Sequence, residues 1–294
     1  MKDHIARTTA LDHRIRGVAC EATDLVRIAC ARHSTSITAS VALGRALIGG
    51  ALLAALSKDD DERYGLRFDG GGPLGRIVVE ADPNGAVRGK ISNPEIEVPP
   101  KNGRVDVATG IGIDGFLTVI RDHGLKQPFT GTVALQTGAI AEDLAYYLSH
   151  SEQVPSAVGI GVTVNESGRI ESAGGFLIQA LPPPDESLAE QISKRLETLP
   201  PIASFLQNGQ RPAQLLDQIF AGLEPELLEE REVFWRCLCA RDKMAGALLA
   251  LGRDELSDLI LDEGRAEVVC DYCLRAQEFS RKELSEILAR ATGA

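Results

Sequence analysis

The residues best suited to chemistry in this chain are four cysteines near its C-terminal end. One residue separates Cys237 from Cys239, two separate Cys270 from Cys273, and a 30-residue spacer lies between the two pairs. Structural zinc sites are tetrahedral, and cysteine thiolates ligate the metal at about 2.3 Å. The two close pairs, brought together by a folded spacer, therefore predict a site for one Zn²⁺ per chain.

Histidine is excluded from this predicted site by its position in the sequence. All five histidines lie in the first 150 residues: His4, His13, His33, His123 and His150. An all-cysteine site is thus the simplest interpretation. A tail of about 60 residues has a marginal core of its own, whereas zinc binding in small units contributes roughly 10 to 16 kcal/mol of folding free energy. Unrelated buried thiols fit the paired spacing less well, and permanent disulfides fit a reducing compartment less well.

The unequal pairs suggest a second role for these cysteines. Thiolates are the form that oxidants attack, and a bound metal keeps thiols deprotonated. On oxidation each pair could close within itself, which would remove the ligands, release the metal and destabilise the tail. We therefore hypothesise that the four cysteines act as a structural clamp when reduced and as a release when oxidised.

Three long strings in the first part of the chain accompany the cysteine pairs. They are "DGGGPLGRIVVEADPNGAVRG" (69–89), "GTVALQTGAIAEDLAYYLSHSEQVPSAVGIGV" (131–162) and "AGGFLIQALP" (173–182). Together with Cys-x-Cys, the long spacer and Cys-x-x-Cys, they resemble a bacterial family of redox-regulated heat-shock chaperones, the 33 kDa chaperonins. The resemblance covers nearly the whole chain.

The resemblance implies a non-enzymatic chaperone that holds unfolding proteins without ATP. It implies that the reduced, zinc-bound form is inactive, and that oxidation joins Cys237 with Cys239 and Cys270 with Cys273. It further implies that zinc then leaves and that the tail and linker unfold. The chain would then capture unfolded client proteins as a homodimer during oxidative or heat stress.

The elements that must position the cysteines fall into three predicted regions. Residues 1–181 carry strand signals in runs rather than in alternation with helices, so an α+β fold with a large N-terminal mixed α/β domain fits better than a doubly wound sheet. Hairpins are predicted around "DPNG" and "NESG", with another turn at "KNG" between two strand candidates. Residues 41–57 are mostly apolar and predict a buried helix.

Residues 182–232 are predicted to form a helical linker. Three prolines at 182–184 mark its start, and Pro and Gly then break it into short amphipathic helices. The charged segment "ELLEERE" (226–232) is interpreted as a helix surface. Short helices are marginal alone, so the linker must pack against another part of the protein. Its apolar faces, once exposed, could bind unfolded chains.

Residues 233–294 are predicted to form a small C-terminal zinc-binding domain, the redox switch. Helices are predicted at "RDKMAGALLALG", at "DELSDLILDEG" and from "SRKELSEILAR", where Ser280 and Glu283 form a capping box. The run "AEVV" before Cys270 is typical of a strand.

Charge and composition limit the partners and the compartment. The net charge is −11, which argues against binding to a phosphate backbone. The N-terminus lacks the apolar segment of a secretory signal, and the longest apolar stretch (46–56) is shorter than the roughly 20 residues that span a bilayer. We expect a cytoplasmic protein without nucleic-acid or membrane partners, in which Cys20 and Cys30 are ordinary semi-buried thiols.

Two other functions remain open on the cysteine pattern alone. A zinc-ribbon nucleic-acid-binding protein would use the same four ligands, although acidic charge and 4% aromatic residues disfavour it. A thiol–disulfide oxidoreductase would use Cys-x-x-Cys as a catalytic motif. Such motifs usually open a helix beside a βαβ unit, whereas here the motif follows a strand-like run and has a matching pair elsewhere.

Overall fold

The computed structural model describes residues 2–125, 127–183 and 185–291. The chain divides into two compact units, Met1–Arg236 and Cys237–Ala294. Helices and strands are mixed in the first unit and the cysteine-rich tail forms the second, as the predicted α+β class requires. All four tail cysteines therefore belong to one unit.

The first unit contains eleven named strands and seven named helices in its described residues. Its strands are β1 (His4–Ala10), β2 (Ile15–Glu21), β3 (Arg63–Asp69), β4 (Ile77–Ala81), β5 (Ala86–Ile91), β6 (Phe116–Asp122), β7 (Phe129–Ala134), β8 (Ser156–Val164), β9 (Ile170–Ala180), β10 (Glu226–Glu232) and β11 (Phe234–Trp235). Its helices are α1 (Thr23–His33), α2 (Ile37–Ala54), α3 (Val107–Ile111), α4 (Ala141–His150), α5 (Glu186–Thr198), α6 (Ile202–Gln207) and α7 (Pro212–Ile219).

Two sheets organise this unit. The first has the order β10-β1-β2-β9-β8 and is antiparallel throughout, and the second has the order β11-β5-β4-β3-β6-β7. In the second sheet only the short pair of β11 with β5 is parallel. Because β10 and β11 follow the linker helices, the chain returns to both sheets just before the first tail cysteine.

Helix α2 is the centre of the main core. It contacts β8 and β9 of the first sheet and β4 and β5 of the second, and its side chains are buried along almost the whole helix. Glycines permit this close approach: a Cβ on Gly50 would lie 2.6 Å from Val79 Cγ1. Among the described residues α2 is the one helix long and apolar enough to cross a membrane, but 89% of that window is buried in the fold. The prediction of a buried helix is confirmed.

The helices of the predicted linker pack on the first sheet as a second apolar cluster. On β2, Val18 and Cys20 face the core around α2, whereas Ile15 and Ala19 join a cluster with Phe220 and other side chains of α5–α7. This is the alternation expected of a strand buried on both faces. The fit is close, because a Cβ on Gly17 would lie 2.8 Å from Phe220 Cζ.

The helix predicted for residues 226–232 is wrong, because this segment is strand β10. It pairs with the edge strand β1. Its carboxylates find cations there: Glu229 lies 3.3 Å from Arg7, and Glu232 lies 3.1 Å from Lys2. Helix propensity is a weak preference, and strand pairing with these ion pairs overrides it. Sequence reasoning also missed helix α6, which begins directly after Pro201.

The predicted hairpins around "DPNG" and "NESG" are confirmed as β4–β5 and β8–β9. The two strands predicted around "KNG" are wrong. Only an isolated bridge joins Lys101 to Arg104, and the second candidate becomes helix α3. Asp106 starts that helix by accepting the backbone N–H of Thr109, so a capping carboxylate outweighs the alternating pattern.

The second unit is a small mixed structure. In chain order its elements are α8 (Arg241–Leu249), α9 (Arg253–Asp262), β12 (Arg265–Val269), β13 (Ala276–Ser280) and α10 (Arg281–Ala291). The three predicted helices, the strand before Cys270 and the Ser280–Glu283 capping box are confirmed. Strand β13 had no clear sequence signal. It forms by antiparallel pairing with β12.

Candidate metal centre

Two short segments of the second unit supply the four cysteines. Cys237 and Cys239 lie in the extended segment that leads into α8, and Cys270 and Cys273 lie in the turn between β12 and β13. That turn is tight: Leu274 N–H donates to the carbonyl of Cys270 at 2.8 Å, and Leu274 adopts a φ of +54°. The β12–β13 hairpin thus presents both of its cysteines on one loop.

The four sulfur atoms meet at one point. Cys237 Sγ lies 3.6 Å from Cys270 Sγ, Cys239 Sγ lies 3.3 Å from Cys273 Sγ, and all four lie within 4.8 Å of one another. Four ligands about 2.3 Å from one centre are about 3.8 Å apart in a regular tetrahedron. The observed separations bracket that value, so the residues fit a tetrahedral metal with four thiolate ligands.

The site is partly sheltered from solvent. Cys273 is buried and the other three are half-buried. Backbone N–H groups of Tyr272 and Cys273 donate to Cys270 Sγ, and the N–H of Cys239 donates to Cys237 Sγ. Such donors stabilise thiolates. At Cys237 and Cys270 these hydrogen bonds favour the thiolate, the charge state that a metal requires, and oppose the effect of burial.

Without a metal the thiols compete for protons. Burial raises the pKa of Cys239 to about 12, and burial also raises the pKa of Cys270. Burial opposes ionisation of Cys237 as well, but hydrogen bonds from the other three cysteines outweigh it and lower its pKa to about 7. Few of the four thiols can therefore be ionised at once unless a cation balances their negative charge.

No histidine joins the cluster, and all five lie in the first unit. Across residues 2–125, 127–183 and 185–291, no other group of three or more His, Cys, Asp or Glu side chains has a comparable metal-binding geometry. Cys20 and Cys30 also lie in the first unit. Cys20 is fully buried rather than semi-buried, with its pKa raised by burial to about 12, and half-buried Cys30 has a pKa raised by the same cause.

The apolar core around the cysteines is small. Seven buried apolar side chains form it: Met244, Leu248, Leu256, Ala266, Phe279, Leu284 and Ile287. Cys239 and Cys270 pack against this cluster. A core of this size supports a unit of about 60 residues only weakly, so a bound metal would supply a large part of its stability.

Sequence reasoning missed one residue beside the cysteines. Arg241, the first residue of α8, donates to the carboxylate of Glu283 and to the carbonyl of Glu278. The capping box identified Glu283 but gave no sign of a partner from another segment. A basic residue two positions after a cysteine is too common to single out, so only the fold could reveal this contact.

The surroundings of Cys-x-x-Cys differ from those of an oxidoreductase motif. Catalytic pairs usually open a helix, whereas Cys270 and Cys273 lie between two antiparallel strands. Both also lie in contact distance of a second cysteine pair. These features are those of a metal-binding loop.

Comparison with known proteins identifies relatives over the whole chain. The family model described as Hsp33 protein matches residues 3–280, which include all four tail cysteines. A 33 kDa chaperonin of Geobacter sulfurreducens is 50% identical over 97% of this chain and 94% of its own length. One of Desulfotalea psychrophila is 45% identical over 99% of this chain and 98% of its own. The crystal structure of the 33 kDa chaperonin (heat shock protein 33 homolog) of Thermotoga maritima, 39% identical, superposes with a TM-score of 0.90 and full coverage of both chains.

Proposed function

The chain belongs to the Hsp33 family, and on that premise we propose that it is a redox-regulated, ATP-independent holdase of the cytoplasm. The family supports a chaperone function, and its members match this chain from end to end. The proposed activity is capture of unfolding proteins after oxidation of the four tail cysteines. The protein would act by binding, with no catalysed reaction.

In the proposed inactive state, Cys237, Cys239, Cys270 and Cys273 hold one Zn²⁺. When bound, this ion keeps the sulfurs as thiolates and cross-links the two cysteine segments. The observation that carries the proposal is the convergence of four Sγ atoms within 4.8 Å of one another. The cysteines then add to a core of only seven buried apolar side chains.

Oxidation is proposed to close the pairs Cys237–Cys239 and Cys270–Cys273, as the family resemblance implies. Each pair of thiolates loses two electrons and forms one S–S bond, while one molecule of peroxide takes up these electrons and two protons from the solvent and becomes two molecules of water. The cysteines are free in the reduced arrangement, with Sγ separations of 3.6 and 3.3 Å between the two segments, whereas an S–S bond is about 2.05 Å long. Closing the local pairs thus requires each segment to rearrange, which dismantles the four-sulfur cluster.

Loss of the tail is proposed to release the linker, residues 182–232. The linker helices cover an apolar cluster on the first sheet, including Ile15, Leu216 and Phe220. Release would expose the apolar side chains of the linker helices and those of the sheet beneath them. Large exposed apolar surfaces bind unfolded chains. The first cysteine ligand follows directly after the last residue of the first unit, so disorder in the tail would begin where the linker's last strands end. The oxidised form that binds clients is proposed to be a homodimer.

The test measures aggregation of a heat-denatured client with the reduced, Zn²⁺-loaded protein and with the same sample after peroxide. We expect protection only after oxidation, and loss of protection after reductant and Zn²⁺ are restored. A variant with all four tail cysteines changed to serine is expected to protect the client without oxidant. Equal protection by the reduced and oxidised wild-type protein would overturn the proposal.

A further inference from the structure

One side chain links the two cysteine segments independently of sulfur. Arg241 lies two residues after Cys239, and its guanidinium reaches the corner between β13 and α10, beyond Cys273 in sequence. It donates to the carbonyl of Glu278 at 2.6 Å, to Glu283 Oε1 at 2.7 Å and to Gln277 Oε1 at 3.4 Å. The Cys-x-Cys segment is therefore held to the segment that follows Cys-x-x-Cys by three hydrogen bonds.

The same guanidinium rests on the core of the second unit. Its Cζ lies 4.3 Å from the centre of the Phe279 ring, and Phe279 is almost completely buried. A guanidinium over the face of a ring can still donate hydrogen bonds in its own plane, which a lysine ammonium cannot do. The ring contact and the hydrogen bonds together fix the position of the Arg241 guanidinium on the core of the second unit.

The carboxylate of Glu283, which accepts from Arg241, is held in place by hydrogen bonds from Ser280. Its carboxylate accepts the N–H and hydroxyl of Ser280 at 2.9 and 2.7 Å and so caps α10. These bonds, together with Arg241, lower the pKa of Glu283 to about 2. The carboxylate is therefore ionised, and already fixed in position, when Arg241 binds to it.

We propose that Arg241 is a positioning residue for metal binding, which holds Cys237 and Cys239 opposite Cys270 and Cys273 whether or not a metal is bound. This inference rests on the proposed role of the four cysteines as metal ligands. Arg241 donates to oxygen atoms of Gln277, Glu278 and Glu283. It acts by fixing the distance between the two segments that carry the ligands.

The expected consequence is tighter metal binding by a preorganised site. Without Arg241 the two segments must be ordered at the moment of binding, which lowers affinity. Changes to residues that orient metal ligands typically cost about 10- to 100-fold in metal affinity. Because Arg241 and Glu283 are 47% and 40% exposed, salt should screen part of this contribution.

The test is competition for Zn²⁺ between the full-length reduced protein and a chromogenic chelator, at low salt and at high salt. We expect Arg241→Ala to weaken binding by about 10- to 100-fold at low salt, and Arg241→Lys to restore only part of the loss. The difference between wild type and Arg241→Ala should narrow at high salt. Lys282→Ala is the matched control, since it removes the cation of an exposed pair with Glu286 on the same helix, and it should bind like wild type.

Equal affinities for Arg241→Ala and Lys282→Ala would overturn the proposal. If Arg241→Ala leaves the tail unfolded even with saturating Zn²⁺, the deciding variant is Glu283→Gln. The one carbonyl oxygen of glutamine can preserve the capping box, whereas the charge and the second acceptor oxygen, which binds Arg241, are lost. That variant should bind several-fold more weakly with a reduced salt dependence, and wild-type affinity would contradict the inference. No client is present in this assay. If the wild-type protein binds no Zn²⁺, the proposed function is refuted. If the wild type binds Zn²⁺ and Arg241→Ala binds it with the same affinity, only the inference about Arg241 is refuted.

Discussion

The two units of this molecule are stabilised in different ways. The first is built around α2, which is buried between two sheets, and around a second apolar cluster under the linker helices. The second has seven buried apolar side chains, four converging sulfurs and an arginine contact. Removal of one set of tail ligands can therefore unfold the second unit and release the linker while the core around α2 stays folded. This difference makes the smaller unit the better location for the proposed redox switch.

The cysteines repeat the same contrast. Cys20 is fully buried in the main core, and buried thiols that oxidants cannot reach are inert. The tail cysteines are mostly half-buried and lie together. Burial and clustering therefore distinguish Cys20 from the four tail cysteines, although all are the same residue type.

Removal of the tail ligands should have the largest effect. With all four tail cysteines changed to serine, the second unit should lose most of the roughly 10 kcal/mol that a structural zinc site contributes, and its cooperative unfolding transition should disappear. The transition of the core around α2 should remain. Calorimetry of the full chain separates the two, and Cys20→Ala with Cys30→Ala serves as control. A second unit that still melts cooperatively in the serine variant would break the comparison.

The linker cluster should give the next largest effect. Phe220 is completely buried against the first sheet, so Phe220→Ala should destabilise the first unit by about 3 to 5 kcal/mol. The variant should also capture clients while reduced and metal-loaded, because its linker detaches more easily. Phe129→Ala, at a position 54% exposed, is the matched control and should change neither property. Chemical unfolding and an aggregation assay measure the two effects.

A pH profile should identify a charge that destabilises the first unit. Asp3 accepts the N–H groups of Asp24 and Leu25 at the start of α1, but burial raises its pKa from 3.8 to about 6. Because the folded-state pKa is the higher one, stability present below about pH 4 is lost as the pH rises to about 6. The wild type should thus lose up to about 3 kcal/mol relative to Asp3→Asn across this window.

Thermal unfolding from pH 4 to 7 measures this difference. Asp24→Asn, which removes an exposed carboxylate paired with Arg27 on α1, is the control and should run nearly parallel to wild type. Parallel profiles for Asp3→Asn and wild type would show that folding does not raise the pKa of Asp3.

The smallest effect should follow from changing the first-unit cysteines. Cys30→Ala should leave unchanged the peroxide concentration at which Zn²⁺ is released, because this thiol lies in the other unit and its pKa is raised by burial. Release of Zn²⁺ is followed with a metal-sensitive dye. A shifted oxidant threshold would place Cys30 within the switch and remove the distinction between the two cysteine sets.

The sequence predicts this molecule best where local signals act alone. The two cysteine pairs can be recognised as candidate ligands from their spacing, although 30 residues separate them. The turn residues of "DPNG" and "NESG" define their hairpins locally. Strand β10 could not be predicted, because its Glu-rich pattern favours a helix until β1 and Arg7 are beside it. Arg241 was missed for the same reason, since its partners lie about 40 residues further along the chain.

The most direct test of the account is hydrogen exchange on the full-length protein, before and after peroxide, with α2 as internal reference. The account predicts that residues 237–291 and the linker helices lose protection on oxidation while α2 keeps it, and that reductant with Zn²⁺ restores both. Unchanged protection of the tail, in a sample whose four cysteines are shown to be oxidised and free of metal, would contradict the central claim.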